Sequence, residues 1–379
     1  MTKKTYFRPY ISHWAQLKTK LLEQNIQKFI STRSNYDNFR LKLTELIKEL
    51  IIDSGIDIVS IESRTKSIES FREKIQRPEK NYDNPFQQIT DLCGIRIITY
   101  YTEDIYKIAE LIKNEFEIDE ENSVDKTIIN SPDRFGYLSL HYVLKLNEIR
   151  KNLIEWKAFN DFNAEIQIRT ILQHSWAAID HKLRYKIKKE IPSTLKRKIF
   201  RLSALLELAD EEFLSIKNQT QQLHSEIGSS IEKGNLEIEF NSISVLSYID
   251  DNNLIDDIVK MAIDLGYNQI TNDIFNDVSR GDYITRLVAT LDNSSLNSIR
   301  ELDNFLNSNF QSIKGKLKSL KEVFYDISDN EIFAIKSDLI MILLVLSKEA
   351  KVDINNPNLR NIITWQTLLD CFDYVNNKD

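Results

Sequence analysis

Apolar and polar residues alternate along several short stretches in the first half of the chain, and apolar residues recur at helical spacing between those stretches. Alternation is typical of half-buried strands, and spacings of three and four residues are typical of amphipathic helices. The pattern predicts strands at residues 57–63, 93–100, 117–124, 139–146 and 162–169. It predicts helices at residues 12–53, 67–76, 103–115, 170–186 and from Pro192 to about 225.

Glycine and serine mark residues 228–234 as the best linker candidate. We therefore expect two domains, at residues 1–226 and 235–379. Strands interleaved with helices predict an α+β first domain with a mixed β-sheet flanked by helices. The second domain is predicted to be mostly α-helical after a short strand within 236–248. Its helical periodicity is found at residues 251–265, 296–310, 330–350 and 362–376.

Composition narrows the class of protein. The 379 residues are 42% hydrophobic and 28% charged, which is ordinary for a globular chain. Two cysteines exclude a disulfide framework or a zinc finger. The N-terminal residues lack the apolar run of a signal peptide, and the most apolar segment, 332–346, is too short to cross a bilayer. We expect a cytoplasmic protein without a membrane partner.

The net charge of −7 is unevenly distributed. Residues 231–379 carry 14 basic and 24 acidic side chains, so the first part of the chain is slightly basic. The segment 182–201 has nine Lys or Arg residues and one Glu. A solvated helical surface and a binding surface for phosphate or RNA both remain open as interpretations of this segment.

Polar residues that suit a catalytic site follow the predicted strands. Strand 162–169 carries Glu165, Gln167 and Arg169 on one face, and these groups are costly to bury without partners. The strand at 93–100 is preceded by Asp91 and carries Arg96. Two carboxylates are sufficient protein ligands for Mg²⁺, which completes its shell with water and phosphate oxygens. Asp91 and Glu165 are therefore candidate metal ligands.

Basic residues near these acids suit a polyphosphate. Arg64 ends the first predicted strand, and Lys66, Ser70 and Lys74 follow at helical spacing on one face. Arg64, Lys66, Lys74 and Arg96 are candidate phosphate-binding residues. A glycine turn at 134–141 presents Tyr137, which is placed to stack on a base.

The four segments 64–74, 90–101, 134–141 and 164–177 resemble the synthetase domain of the RelA/SpoT family of alarmone synthetases. They occur in that family's order and at its approximate spacing, within about residues 40–215. The resemblance implies a nucleotidyltransferase-like domain that moves the β,γ-pyrophosphate of ATP onto a ribose 3′-hydroxyl, usually of GDP or GTP, with Mg²⁺. The family's hydrolase motif is not seen in the first residues, so we expect a short, synthetase-only member.

The resemblance also implies roles for individual residues. Asp91 and Glu165 are the expected catalytic residues and metal ligands, with Glu165 alternatively taking the proton of the attacking hydroxyl. The residues expected to bind ATP are Arg64, Lys66, Ser70, Lys74 and Arg96, with the two arginines on either side of the adenine. The residues expected to bind the acceptor are Arg134, Tyr137, His141, Gln167 and Arg169.

One turn departs from the family pattern. Members that make alarmones usually have Lys, then Asn-Gly-Tyr, where this chain has Asp133-Arg134-Phe135-Gly136-Tyr137. A phenylalanine cannot form a hydrogen bond with a guanine edge. Three functions therefore stay open: a GTP pyrophosphokinase that makes (p)ppGpp, a toxic pyrophosphokinase that modifies the 3′ CCA end of tRNA and is controlled by the C-terminal domain, and an inactive nucleotide-binding sensor. We expect the domain at 235–379 to serve regulation or oligomerisation. We also expect a homo-oligomer.

Overall fold

The computed structural model describes residues 8–77, 80, 82–125, 139–186, 192–250, 252–268, 277–327, 335–345 and 350–352. The chain forms two compact units, Met1–Lys217 and Asn218–Asp379. Each unit has a hydrophobic core of its own.

The first unit begins with a single long helix where one or two were predicted. Its helices are α1 (Arg8–Asp53), α2 (Ile68–Ile75), α3 (Pro85–Gln88), α4 (Thr102–Glu115), α5 (Glu148–Lys151), α6 (Ile171–Lys186) and α7 (Ser193–Glu232), of which α7 continues past the division between the units. Its strands are β1 (Ile58–Thr65), β2 (Cys93–Thr99), β3 (Phe116–Ile118), β4 (Val124–Asp125), β5 (Leu140–Leu146) and β6 (Asn163–Thr170).

The strands form one sheet in the order β1-β2-β6-β5-β3, and β4 also pairs with β5. The pair β2 and β6 is parallel, whereas the other pairs are antiparallel. One face of the sheet is apolar because isoleucines alternate with polar residues along β2 and β6. Leu43 and Ile47 of α1, together with Ile108 and Ile112 of α4, belong to the buried core on that face. The predicted α+β class with a mixed sheet flanked by helices is confirmed.

Two local predictions in this unit were wrong. The strand expected at 117–124 is two short strands, because Asp119 and Asn122 form a turn in which the Asp119 carboxylate accepts hydrogen bonds from Asn122. The helix predicted at 103–115 begins one residue earlier, at Thr102. Tyr101 occupies the cap position without a side-chain hydrogen bond.

The second unit is mostly helical, as predicted. Its helices are α8 (Ser242–Asp250), α9 (Asn253–Asp264), α10 (Asp277–Asp292), α11 (Ile299–Ile327) and α12 (Lys336–Val345). The short strand expected within 236–248 is wrong, because Val245, Tyr248 and Ile249 are buried at helical spacing in α8. The predicted linker at 228–234 is helical as far as Glu232. The helix expected at 362–376 lies outside the described residues.

The most apolar segment of the sequence contains helix α12, which is 10 residues long. Of the helices in the described parts of the chain, none combines the length and the apolar character that a bilayer crossing demands.

Candidate active site

Three neighbouring strands build the floor of a cleft on the polar face of the sheet. Arg64 of β1 lies opposite Gly94 of β2, and Gly94 lies opposite Glu165 of β6. A Cβ atom at Gly94 would lie 3.8 Å from the Arg64 carbonyl oxygen, which is an ordinary van der Waals distance. The residues that line the cleft are Glu62, Ser63, Arg64, Asp91, Gly94, Ile95, Arg96, Glu165 and Gln167.

Asp91 lies in a single 3-10 turn, Thr90–Leu92, immediately before β2. Its carboxylate accepts hydrogen bonds from two lysines, at 2.6 Å from Lys66 Nζ and 2.8 Å from Lys74 Nζ. Helix α2 places Lys74, and it begins where the Ser67 hydroxyl accepts a hydrogen bond from the Ser70 backbone. Burial raises the pKa of Asp91, but the two lysine hydrogen bonds outweigh burial and hold the pKa below its ordinary value. Asp91 is therefore a carboxylate at neutral pH.

Glu165 is the second carboxylate of the cleft. Its Oε1 lies 3.4 Å from His141 Nδ1 and accepts a hydrogen bond from Gln167 Nε2 at 2.9 Å. The other ring nitrogen of His141 lies 2.6 Å from the Ser139 hydroxyl, which fixes the orientation of the ring. The His141 hydrogen bond lowers the pKa of Glu165, burial opposes it, and the net pKa is below the ordinary value. This carboxylate is also ionised at neutral pH.

Positive charge gathers beside the two carboxylates. Arg96 donates a hydrogen bond to Glu62 at 2.8 Å, while Arg169 is 7% exposed and its Nε has no hydrogen-bond partner among the described residues. Burial, together with the charge of Arg96, lowers the pKa of Arg169 to about 10. Burial and Arg169 also lower the pKa of His174. A buried guanidinium with an unused donor is suited to an anionic ligand.

The structure brings most of the predicted site residues together. Arg64, Asp91, Arg96, Glu165 and Gln167 line the cleft, and three further residues, Lys66, Lys74 and His141, contact its carboxylates. Ser70 lies on α2 outside the residues that line the cleft, where its hydroxyl is 3.1 Å from that of Ser67. Arg169 lies further along β6. Arg134 and Tyr137 lie outside the described residues.

Sequence reasoning missed residues that hold Arg96 and strand β1 in place. Glu62 pairs with Arg96, and it was detectable because it shares the polar face of β1 with Arg64. Asp37 of α1 accepts a hydrogen bond from Thr65 at 2.6 Å, and Arg40 donates one to Ser63 at 2.8 Å. These two contacts join residues more than 20 positions apart, so no local pattern could have identified them.

The donor set fits a magnesium ion. Asp91 and Glu165 supply hard carboxylate oxygens to one cleft, and they are close enough for the charge of Asp91 to raise the pKa of Glu165. Among the described residues, no group of three or more His, Cys, Asp or Glu side chains is arranged for a metal. Since Mg²⁺ takes one or two carboxylates and completes its shell with phosphate oxygens and water, two acids are sufficient.

Comparison with known proteins identifies the segment that contains this site. Residues 63–190 match the family model described as "Region found in RelA / SpoT proteins". The GTP pyrophosphokinase YwaC of Bacillus subtilis (strain 168) is 28% identical over 212 residues, which cover 55% of this chain and 97% of the relative. The GTP pyrophosphokinase YjbM of the same organism is 27% identical over 176 residues, 45% of this chain and 77% of the relative.

A solved structure of small alarmone synthetase 2 from Bacillus subtilis also matches, with 27% sequence identity and a TM-score of 0.42. The match covers 51% of this chain and 99% of that chain. The family match includes all four polar segments that the sequence singled out. Residues 63–190 therefore match the region found in RelA/SpoT proteins, as the motifs predicted.

Proposed function

We propose that this protein is an ATP:nucleotide 3′-pyrophosphotransferase that makes (p)ppGpp from GDP or GTP. The observation that carries the proposal is the pair of ionised carboxylates, Asp91 and Glu165, in one cleft with Lys66 and Lys74. The two similar GTP pyrophosphokinases support GDP or GTP as the acceptor.

The basic residues bind and orient ATP. In the structure Lys66 and Lys74 both neutralise Asp91, and a bound triphosphate gives their ammonium groups alternative anionic partners. Glu62 holds Arg96 at the wall of the cleft, and Arg64 stands on the neighbouring strand. These two guanidinium groups offer flat, cationic surfaces for the adenine. Transfer of a phosphoryl group depends mainly on such positioning and charge neutralisation.

The carboxylates serve the transfer itself. Asp91 and Glu165 would hold Mg²⁺, which supplies neutralisation of the charge that develops on the phosphate oxygens. Alternatively, the ionised Glu165 would accept the proton of the acceptor hydroxyl as the new O–P bond forms. The bond between the α- and β-phosphates breaks, and AMP leaves.

Incubation of the purified full-length chain with γ-labelled ATP, Mg²⁺ and either GDP or GTP tests the proposal. The label should move to a product that carries a 3′-pyrophosphate, with one AMP formed for each product. No transfer to any acceptor by a folded, ATP-binding protein would instead identify an inactive nucleotide-binding sensor.

The turn at Phe135 favours a second acceptor, the 3′ CCA end of tRNA. Phe135 stands where alarmone makers usually have a guanine-reading Asn, and the basic segment 182–201 suits an RNA backbone. If label from ATP enters bulk tRNA in preference to GDP and GTP, the protein is a tRNA pyrophosphokinase. With that acceptor, activity should fall steeply with added salt.

The variant Phe135→Asn tests whether this turn selects the acceptor. Asparagine restores one donor and one acceptor of hydrogen bonds, so use of GDP or GTP should rise relative to tRNA. The matched measurement is the ratio of kcat/KM values for the acceptors in both proteins. An unchanged ratio would mean that the acceptor base is read elsewhere.

We further propose that the protein works in the cytoplasm.

A further inference from the structure

The serine immediately before strand β5 has a hydroxyl for which the proposed function gives no role. Ser139 and His141 are two residues apart, a spacing that places their side chains on the same face of the sheet. The Ser139 hydroxyl lies 2.6 Å from His141 Nε2, and the other ring nitrogen, Nδ1, lies 3.4 Å from Glu165 Oε1. The imidazole ring therefore stands between a hydroxyl and a carboxylate, with one nitrogen directed at each.

The pairing of strands β5 and β6 brings this ring to Glu165. His141 lies directly opposite Gln167, and Val143 lies opposite Glu165, so the ring reaches Glu165 diagonally across the two strands. Gln167 reaches the same carboxylate along its own strand. The hydrogen bonds and ion pairs that Glu165 forms with described residues end on Oε1. The second carboxylate oxygen, Oε2, is thus left for a ligand.

The partners of the His141 ring determine which nitrogen carries hydrogen when the ring is neutral. The ionised Glu165 can only accept hydrogen bonds, so Nδ1 must carry the hydrogen and donate to it. Nε2 of the neutral ring is then an acceptor, and the Ser139 hydroxyl is the donor within reach of it. Without that hydroxyl the ring is free to adopt its other tautomer, in which the lone pair of Nδ1 faces the carboxylate.

We propose that Ser139 is a positioning residue of the transfer reaction, which holds His141 in the tautomer that donates to Glu165 Oε1. Glu165 then keeps a fixed orientation and presents Oε2 to Mg²⁺ or to the acceptor hydroxyl. The proposal rests on the proposed function, because it gives Ser139 a part in the same transfer. Ser139 acts through His141, and loss of such an orienting partner typically costs about 10- to 100-fold.

Nitrogen NMR of the full-length chain tests the tautomer directly and without any nucleotide. In protein with isotope-labelled histidine, the chemical shifts of the two ring nitrogens show which one carries hydrogen. The chain has five histidines, and the His141 signals are those absent from the spectrum of His141→Gln. At slightly alkaline pH, where an ordinary histidine is neutral, His141 should carry hydrogen on Nδ1 in the wild type and lose this preference in Ser139→Ala. Hydrogen on Nε2 in the wild type overturns the proposal.

Kinetics of pyrophosphate transfer provide the second test. Ser139→Ala should lower kcat about 10- to 100-fold with the KM for ATP within about twofold, because Ser139 pairs with His141 and not with a residue expected to bind ATP. Ser139→Thr keeps the hydroxyl and should restore both the tautomer and most of the turnover. The matched control is Ser31→Ala, which removes an exposed hydroxyl that donates to the Lys28 carbonyl on α1, and it should change neither.

The outcomes separate this proposal from the proposed function. An absence of transfer in the wild type overturns the proposed function, and the role of Ser139 with it. If the wild type transfers pyrophosphate, an unchanged kcat in Ser139→Ala overturns the role of Ser139 alone. A lower kcat with an unchanged His141 tautomer does so too, because Ser139 would then act through packing. Ser139→Cys, which keeps a side chain of similar size with a weaker donor, is the second loss variant and should shift the tautomer in the same direction.

Discussion

At the scale of single residues, the charged side chains of the cleft pair with one another. Asp91 faces two lysines, Glu165 faces a histidine and an amide, and Arg96 faces Glu62. These pairs keep the carboxylates ionised and the cations oriented. The side chains of the cleft are thus ready to exchange internal partners for phosphates and a metal.

Replacement of either carboxylate should abolish most of the activity. Asp91→Asn and Glu165→Gln should each lower turnover on the order of 10³-fold, because each removes a ligand of the Mg²⁺ that would neutralise the transferring group. The losses should not multiply in the double variant, since both break one functional unit. Single-turnover assays check this, with Glu155→Gln, an exposed carboxylate away from the cleft, as the control. Substantial activity in either single variant would contradict the shared metal site.

Replacement of His141 should change the pH profile in a defined direction. The His141 hydrogen bond lowers the pKa of Glu165, so His141→Gln lets that pKa rise towards its ordinary value. If the ionised form of Glu165 is the active one, activity is lost as pH falls through its pKa. The acid limb of kcat/KM against pH should therefore move to higher pH, while the alkaline limb stays in place. A uniform decrease without displacement of the acid limb would mean that His141 serves the acceptor alone.

At the scale of elements, periodicity predicted strands β1, β2, β5 and β6 and their helices to within a few residues, because each has one buried face. Periodicity failed where residue types that favour strands occur at positions that bury one face of a helix. Residues 236–248 are rich in β-branched and aromatic residues, yet Val245, Tyr248 and Ile249 pack at helical spacing in α8. Tertiary packing decided this conflict.

The candidate site was predictable to the extent that its residues sit on those strands. Asp91, Arg96, Glu165 and Gln167 come together because β2 and β6 are parallel neighbours, which the sequence did not specify. The supports from α1, including Asp37, depend on packing between distant segments. Register and packing are global properties, so the sequence pattern could suggest the chemistry without giving the geometry.

The junction between β6 and α6 is held by reciprocal hydrogen bonds. Thr170 Oγ1 accepts a hydrogen bond from the Gln173 backbone at 3.1 Å, the Gln173 side chain accepts one from the Thr170 backbone at 3.0 Å, and the Thr170 hydroxyl donates to Asp210 at 2.7 Å. This is a capping box with an additional buried partner. It joins the strand that carries Glu165 to two helices.

The variant Thr170→Val keeps the shape of the side chain and removes the hydroxyl. It should lower the free energy of unfolding by about 2–3 kcal/mol, because it removes the cap and leaves the buried Asp210 with one donor fewer. Denaturant titration followed by circular dichroism measures the loss. Ser175→Ala, which removes an exposed hydroxyl that donates to the Ile171 carbonyl within α6, should change the free energy by less than about 0.5 kcal/mol. If Thr170→Val lowers the free energy of unfolding no more than Ser175→Ala does, the hydrogen bonds of Thr170 add no measurable stability.

At the scale of the whole molecule, the acidic excess and the second hydrophobic core occupy the same part of the chain, after about residue 230. The buried cores of the first unit use residues no later than Ile168, and the core of the second unit begins after Leu223. The second part of the chain carries the acidic excess, and the first part carries the cleft for anionic substrates. Either regulation of the first unit or association with another chain explains such a separation of charge.

Removal of residues 229–379 distinguishes these roles. If the acidic segment restrains the enzyme by competing electrostatically with anionic substrates, the chain 1–228 should be at least about fivefold more active than the full-length protein, and more so at low salt. Expression of the short form should then also be more toxic to its host. Light scattering on both forms shows whether the number of chains in the oligomer changes when the segment is removed. An unchanged specific activity with a halved oligomer would instead assign association to the second unit and rule out restraint by its charge.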